Sequence, residues 1–538
     1  MIKNIKINIL TFKLGYAAIC TLLYSYGFWL DFFALEQSPH ANFVISASIL
    51  FVGLFLYYTF FAIFSFNIKV FKGVVIASLV LNSVFSYYIA TYNVYIDQGM
   101  MANVFNTDPK EAADLFSLWM VFYVLTLGIL PSIFVAKINI IKIKGKINYS
   151  IARFLRILTL FLLAIIVLAF SFREVITFGR ANKNMFYKQL PYAYVKSTLA
   201  YIRRDIRDKI FKPTNFSFEI SKPLSSTKVK PKVMVLVVGE TARRDNFSLF
   251  GYSKKTNPLI ERDSVFAFSN VVSCGTSTNV SVPCMFYPLG QDEYQNNKMK
   301  IESYITSLSR LKNLDIIWFE NNFGGCYENC DKVKRFYLQN EKNPKYCSER
   351  QCTDGVFLDF LDTQLKNIKQ DTLIVFHANG SHGPLYYKRY EQSFDKFTPS
   401  CKTNRPQDCT KQELINAYDN TILYTDYILH SIIAKLQGGE DKFTSMMLYA
   451  SDHGESLGEF GLYLHGVPYS IAPKYQKQIP AIAWLSGGAL KTYNKACITK
   501  RTANPYNHDI MINTSLSFLG IKSQYHKQNS SLIEGCAV

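Results

Sequence analysis

The sequence predicts a two-part fold: a five-helix transmembrane domain followed by an exported α/β domain built on a mostly parallel sheet. Three observations predict it. Long uncharged apolar stretches crowd the first third of the chain, apolar β-branched runs alternate with polar helical stretches in the last part, and all but one of the 11 cysteines lie in that last part. The chain has 538 residues, 49% of them hydrophobic, 15% aromatic and 18% charged. That is more apolar material than one soluble core needs, and it is far from a disordered composition. The 59 Lys+Arg against 40 Asp+Glu leave a net charge of +19. Such an excess suits nucleic acid, an anionic membrane surface or an anionic substrate. An acidic-tail protein, a collagen-like repeat and a small disulfide mini-protein are excluded.

No Asp, Glu, Lys or Arg occurs in residues 14–30, 41–68, 73–96, 115–136 or 157–172. A helix needs about 20 apolar residues to cross a bilayer core. The middle three stretches pass easily. The outer two are short, and Lys13, Arg153 and Arg156 extend them by snorkelling. The first stretch is followed by Trp29, Leu30, Asp31, Phe32 and Phe33, not by a small-residue cleavage site, so it reads as a helix and not as a signal peptide. Residues 1–172 therefore form the membrane domain. Lysines mark the N-terminus (Lys3, Lys6, Lys13), the second connection (Lys69, Lys72) and the fourth (Lys137, Lys142, Lys144, Lys146). The first connection has no basic residue and the third has Lys110. Basic loops stay in the cytoplasm, which puts the N-terminus inside and everything after the fifth helix outside.

The cysteines agree with export. Cys20 lies in the first helix, and the other ten lie beyond residue 270. An even number in close neighbours suits disulfides in an oxidising compartment. Spacings of four to ten do not repeat as CxxC metal pairs. The expected bridges are Cys274–Cys284, Cys326–Cys330, Cys347–Cys352 and Cys401–Cys409, leaving Cys497 with Cys536.

Residues 173–229 read as a linker. Within 194–211, Leu199, Tyr201, Ile202, Ile206 and Ile210 are interleaved with Arg203, Arg204, Arg207 and Lys209. That pattern fits a basic amphipathic helix on a membrane surface or an ordinary packed helix. Pro223, Pro231 and two serines then mark a connecting segment. Residues 230–538 form the exported domain. Its apolar runs, 233–238, 314–319, 372–376, 446–450 and 479–485, read as strands buried on both faces, with polar stretches such as 411–437 as covering helices.

Several of these runs end in chemistry-bearing residues: Gly239-Glu240-Thr241, then His377 to His382, then Ser451-Asp452-His453. In open α/β sheets, sites gather at the C-terminal ends of strands. Glu240, Asp452 and His453 supply the oxygen and nitrogen donors that zinc takes. Between Cys274 and Cys284 lies a hydroxyl-rich loop holding Thr276, Ser277, Thr278 and Ser281. A metal can activate such a hydroxyl as a nucleophile, but composition does not choose among the four. A Ser/Thr-rich turn or helix cap explains the same residues without chemistry. His377 fits packing or support of the site, and His508 fits packing or capping.

The ordered set Gly239-Glu240-Thr241-Ala242-Arg243, Ser273 through Phe286, Gly380-Ser381-His382-Gly383-Pro384, Tyr418-Asp419-Asn420, Ser451 through Glu459 and Tyr463-Leu464-His465-Gly466 resembles the phosphoethanolamine transferases that modify lipid A. The mobile colistin-resistance enzymes belong to that family, and the resemblance spans nearly the whole chain. It implies an alkaline-phosphatase/sulfatase-like exported domain, with Thr278 as nucleophile and Glu240, Thr278, Asp452 and His453 as ligands of one or two zinc ions. It also implies His382 and His465 as residues binding the phosphoethanolamine group or a second zinc, and as candidates for proton transfer. By the same resemblance, Asn103, Thr107 and Glu111 bind the donor lipid, and their spacing of four would put them on one helical face.

The implied reaction moves phosphoethanolamine from phosphatidylethanolamine to a phosphate of lipid A or another anionic glycolipid. The implied setting is a monomer in the Gram-negative inner membrane, with its catalytic domain in the periplasm and no nucleic-acid partner. One departure stands out. Where the family has a lysine in Cys-Lys-Gly-Val-Cys, this chain has Tyr327 in Cys326-Tyr327-Glu328-Asn329-Cys330. Tyrosine donates one hydrogen bond and carries no positive charge near neutral pH, so either another cation serves, with Lys332, Lys334 and Arg335 near in sequence, or the phosphate contact is weaker. The alternatives are a phosphoglycerol transferase of the same layout, a membrane-anchored binding protein with this fold, and a transporter. The last would want charged or broken helices, and the stretches offer little beyond Pro131.

Overall fold

The computed structural model describes residues 5–35, 39–107, 109–142, 149–210, 219–223, 230–296, 301–322, 326, 329, 333–338, 343–348 and 351–538. The chain divides into two compact units, Met1–Met101 with Phe116–Arg203, and Ala102–Leu115 with Arg204–Val538.

In the first unit, the described residues include four helices long and apolar enough to cross a membrane: Pro39–Phe66, Ile68–Tyr92, Leu118–Lys137 and Ile151–Phe170. The first predicted span is different. It is a pair, Ile9–Tyr24 and Tyr26–Phe33, bent by 54° at Ser25, and it makes a fifth span if the pair is counted as one. The bend follows a π-helical turn, Cys20–Tyr24, and such turns interrupt the regular hydrogen-bond ladder. Within this unit the buried Lys188 pairs with Asp31 and donates to the Asn93 side chain. A buried ammonium stays charged when a carboxylate and a further acceptor replace its water.

The second unit is organised by one eight-stranded sheet. In chain order its strands are β1 (Lys232–Gly239), β2 (Phe266–Val272), β3 (Leu314–Glu320), β4 (Lys334–Tyr337), β5 (Asp371–His377), β6 (Thr444–Ser451), β7 (Gln478–Leu485) and β8 (Tyr506–Asn507). The spatial order is β8-β2-β7-β6-β1-β5-β3-β4. Each of the five apolar runs forms a strand. Alternate β1 residues feed opposite cores: Met234, Leu236 and Val238 pack with Leu373, Val375 and Leu448, while Val233, Val235 and Val237 pack with Ile374, Phe376 and Met447. Burying each such side chain contributes about 1.5–3 kcal/mol, which is why these strands read as unbroken apolar runs.

The sheet is less parallel than the runs alone suggest, because β7 runs antiparallel to both β6 and β2. Three strands escaped the sequence reading. β2 exposes Asn270 on one face, β4 is a charged edge strand, and β8 has two residues. None presents a continuous apolar run. Helix Lys411–Gln437 packs into the second core, and Thr410 and Glu413 form a reciprocal capping box at its start. Strands β6, β1 and β5 are adjacent and mutually parallel. Their C-terminal ends, at Ser451, Gly239 and His377, therefore lie side by side on one edge of the sheet.

Four expected disulfides form: Cys274–Cys284, Cys347–Cys352, Cys401–Cys409 and Cys497–Cys536. Cys330 lies outside the described residues, and with it the expected Cys326–Cys330 bridge. Cys20 is a buried free thiol.

Candidate active site

The adjacent strand ends bring Glu240, Asp452 and His453 together. Among the described residues these three form a cluster whose ligand atoms all lie within 4.8 Å of one another, and all three are buried. The local chain is built to hold them. Thr241 takes a left-handed φ of 58°, and its N–H donates to Asp452 Oδ1 at 3.0 Å. A β-branched residue rarely adopts that conformation, and such strain persists where surrounding bonds over-determine it. The Tyr418 hydroxyl from helix Lys411–Gln437 bonds to Thr241 O and accepts from Arg243 N–H, both at 2.8 Å. Tyr418 therefore shapes the turn that presents Glu240.

The cluster's electrostatics call for a cation. His453 Nδ1 lies 3.0 Å from Gly454 O, and donating its proton there leaves Nε2 with a lone pair. That lone pair faces Asp452 Oδ2 at 3.2 Å and Glu240 Oε1 at 3.6 Å. Asp452 Oδ2 is buried without a hydrogen bond. Three electron-rich atoms facing one another in a buried site repel unless a positive ion lies among them. The N/O donor set fits zinc. Burial, followed by the neighbouring His465, holds His453 down at about 3, and burial raises Asp452.

Thr278 opens helix Thr278–Met285, with Ser277 as its N-cap residue. Its Oγ1 donates to Glu240 Oε2 at 3.1 Å and lies 3.4 Å from His453 Nε2. The other hydroxyls of the loop are engaged elsewhere. Thr276 donates to Val467 O at 2.7 Å, Ser277 to Asn279 Oδ1 at 2.7 Å, and Ser281 accepts from Gly275 N–H at 3.1 Å. The Cys274–Cys284 bridge ties the loop to the helix. A helix N-terminus also offers unpaired N–H groups and a positive dipole end, which suit a phosphoryl group.

His382 and His465 form the other side. Their ring centroids are 5.7 Å apart, and His465 is 4.4 Å from His453. His465 follows a hairpin, Ser456–Leu457 paired with Tyr463–Leu464, and Glu455 precedes that hairpin. Glu455 Oε1 is 3.4 Å from His465 Nδ1. Burial opposes a charge on His465, but the carboxylates of Glu455, Glu240 and Asp452, Glu455 foremost, together take the imidazole up to about 9.

Three supporting residues were missed by sequence reasoning. Glu455 stood unassigned inside the Ser451–Glu459 motif. Asn322 Nδ2 donates to Glu240 Oε2 at 2.7 Å, and the Asn322 N–H donates to Glu320 Oε1 at 2.9 Å. Glu320 also accepts from Trp318 Nε1 at 2.9 Å and sits 2.9 Å from His377 Nδ1. His377 therefore supports this buried chain behind Glu240. The polar end of β3, Glu320-Asn321-Asn322, carried the same strand-end signal as the other runs and could have been read that way. His508 is buried between the Cys274–Cys284 loop and β6: its Nδ1 accepts from Cys274 N–H and its Nε2 lies by Ser451 O, each at 3.0 Å.

Asn103, Thr107 and Glu111 do not share one helical face. Helix Gln98–Asn106 ends, and a second helix, Pro109–Asp114, carries Glu111. Pro109 opens the second helix, where its missing N–H costs no hydrogen bond. Thr107 still closes the last turn of the first helix, its N–H and its hydroxyl both donating to Asn103 O, at 2.8 and 2.6 Å. Tyr327 and Lys332 lie outside the described residues. Of the nearby cations, Arg335 reaches Cys326 Sγ at 3.5 Å.

Comparison with known proteins agrees in both halves of the chain. Residues 53–206 match the family described as phosphoethanolamine transferase EptA/EptB, and residues 232–521 match the sulfatase family. The chain is 35% identical over 453 residues to phosphoethanolamine transferase EptA of Escherichia coli strain K12, covering 84% of this chain and 83% of that protein. It is 35% identical over 517 residues to phosphatidylethanolamine transferase Mcr-1 of Escherichia coli, covering 92% of each. Its structure is similar to that of lipooligosaccharide phosphoethanolamine transferase A (EptA) from Neisseria meningitidis, with a TM-score of 0.89, 29% identity, and coverage of 97% of this chain and 98% of that one. The sheet-based unit is accordingly a sulfatase/alkaline-phosphatase-like domain, and the chain belongs to the EptA/EptB family of phosphoethanolamine transferases.

Proposed function

We propose that this chain transfers phosphoethanolamine from phosphatidylethanolamine to a phosphate of lipid A, or of a related surface glycan, through a covalent intermediate on Thr278. The observation that carries the reading is Thr278 Oγ1 at a helix N-terminus, 3.1 Å from Glu240 Oε2. The names of EptA and Mcr-1 support the group transferred and its lipid donor.

In the first half-reaction Thr278 Oγ1 attacks phosphorus, and its proton leaves toward the Glu240 oxygen it already faces. The bond from phosphorus to the diacylglycerol oxygen breaks, and His382 or His465 protonates that leaving oxygen. In the second, an oxygen of the acceptor phosphate attacks the phosphothreonine, and Thr278 leaves and regains a proton. One or two zinc ions, when bound by Glu240, Asp452 and His453 with Thr278, would acidify the hydroxyl and offset charge on the phosphoryl oxygens. His465, held toward its cationic form by Glu455, suits a group that faces phosphate or delivers a proton.

The proposed setting is the Gram-negative inner membrane, with five spans, a cytoplasmic N-terminus and a periplasmic catalytic domain in a monomer. The lysine pattern of the loops and the disulfides support it. In helix Tyr192–Ile210, Leu199, Ile202 and Ile206 are exposed, which supports a membrane-surface role for part of residues 173–229.

The test is mass spectrometry of lipid A from cells with the wild type and with Thr278→Ala. A phosphoethanolamine increment in the wild type should fall at least about a thousandfold in the variant. Near-wild-type transfer by Thr278→Ala overturns the nucleophile. A glycerol phosphate increment would instead identify a phosphoglycerol transferase, and unmodified lipid A would overturn the acceptor.

A further inference from the structure

Asp114 and Arg389 stand 275 residues apart in sequence and form a buried ion pair within the second unit. Arg389 Nη2 donates to Asp114 Oδ2 at 3.0 Å, and the two residues, Arg389 and Asp114, are 2% and 7% exposed. Arg389 binds in two more directions. Its Nε donates to the backbone carbonyl of His382 at 2.7 Å, and its Nη1 donates to Gln351 Oε1. Asn404 Nδ2 donates to Asp114 O at 3.0 Å, and Lys388 Nζ lies 3.7 Å from Asp114 Oδ1. One planar guanidinium thus joins the segment Ala102–Leu115 to the loop that carries His382. Only arginine's fork serves three acceptors in fixed directions; a lysine ammonium on a flexible stem does not hold that geometry.

The position of Asp114 gives the pair its meaning. It ends helix Pro109–Asp114, just before the membrane-length helix that opens at Leu118, where Leu118 is 84% exposed and Trp119 is 50% exposed. The segment it anchors therefore lies where apolar helix gives way to polar chain, the level of phospholipid headgroups. A buried arginine that loses its counterion is strongly disfavoured, so the His382 loop and the segment Ala102–Leu115 must hold their places together.

We propose that the Asp114–Arg389 pair is a positioning device that sets the headgroup of the phospholipid donor within reach of Thr278. The proposal rests on phosphatidylethanolamine being the donor. Neither residue touches the reacting atoms, and Asp114, which reaches the His382 carbonyl through Arg389, acts on access of the lipid.

The experiment uses the full chain in lipid vesicles, with phosphatidylethanolamine as donor and a small water-soluble phosphoethanolamine ester as control. Asp114→Asn, which leaves the Arg389 bond to the His382 carbonyl in place, should raise KM for the lipid about tenfold while kcat, and turnover of the soluble ester, stay within about twofold. The exchange Asp114→Arg with Arg389→Asp should recover part of the lost KM. Equal losses on both substrates, or no change on either, overturn the proposal. Hydrogen exchange of segments 102–115 and 377–389 supplies a readout free of the donor assignment. Both segments should exchange faster in Arg389→Lys, a variant that keeps the charge, and unchanged exchange in either segment overturns the coupling. A wild type that turns over the soluble ester but not phosphatidylethanolamine would refute the donor assignment, while the exchange data still decide the coupling.

Discussion

His453 and His465 lie with ring centroids 4.4 Å apart, yet their surroundings drive their pKa values in opposite directions. His453 is fixed by the end of β6, donates Nδ1–H to the next backbone carbonyl, and is held down at about 3 by burial and by its neighbour. His465 sits at the end of a two-stranded hairpin beside Glu455, which with Glu240 and Asp452 takes it up to about 9 against the effect of burial. One imidazole is kept neutral, with a lone pair for a cation. The other is kept ready to carry a charge of its own. The residue type is the same, and the neighbours decide the chemistry. The comparison also separates two ways of building a site. The Glu240–Asp452–His453 side hangs on adjacent parallel strands, whereas the His382–His465 side hangs on loops that other contacts must position.

This division can be broken experimentally, and the largest effect should come from the strand side. Asp452→Asn removes a cluster carboxylate, so metal content should drop and transfer should fall about a thousandfold or more. Metal analysis of purified protein alongside the lipid assay checks both. Full metal content with full activity would break the assignment of that side.

A smaller effect is expected from the histidine side. His465→Ala should lower transfer by about a hundredfold to ten-thousandfold, the usual range for a lost general acid or base, with the metal content of the strand cluster unchanged. Loss of that metal in His465→Ala would merge the two sides into one.

The smallest effect concerns His508, a third buried histidine, which joins Cys274 of the Cys274–Cys284 loop to Ser451 of β6. Burial lowers it from 6.5 to about 4. The unfolded chain therefore binds the proton more readily than the folded one. The resulting stability is fully present above about pH 6.5 and is lost as pH falls toward about 4, a contribution of about 3 kcal/mol. Thermal unfolding between pH 4 and pH 7 should show this loss in the wild type and a flatter profile in His508→Gln. Identical profiles would show that the loop is not held by a neutral histidine.

Much of the candidate site was legible because it follows strand ends. Glu240 and Asp452-His453 close apolar runs that could hardly be anything but buried strands, and the chain order of those runs made their shared edge plausible. The choice among four hydroxyls was not legible. Thr276, Ser277 and Ser281 bond to Val467, Asn279 and Gly275 and Thr278 faces Glu240, partners that composition does not reveal. Glu455, Asn322 and Glu320 were invisible as a set for the same reason, since each matters through a contact across the fold. The break at Pro109 was visible in principle, but the spacing of Asn103, Thr107 and Glu111 drew attention away from it.

The sequence by itself determined the division into an apolar first part and a disulfide-bearing second part, the central strands, and the donor types of the Glu240–Asp452–His453 cluster. Those features depend on local composition and on period, which any short window carries. Tertiary structure alone decided that β7 reverses direction, that the first apolar stretch bends by 54°, that Thr278 is the hydroxyl facing Glu240, and that Arg389 joins His382 to Asp114. Each of these depends on which distant residues share a few ångströms of space, and burial then turns that proximity into charge state and geometry.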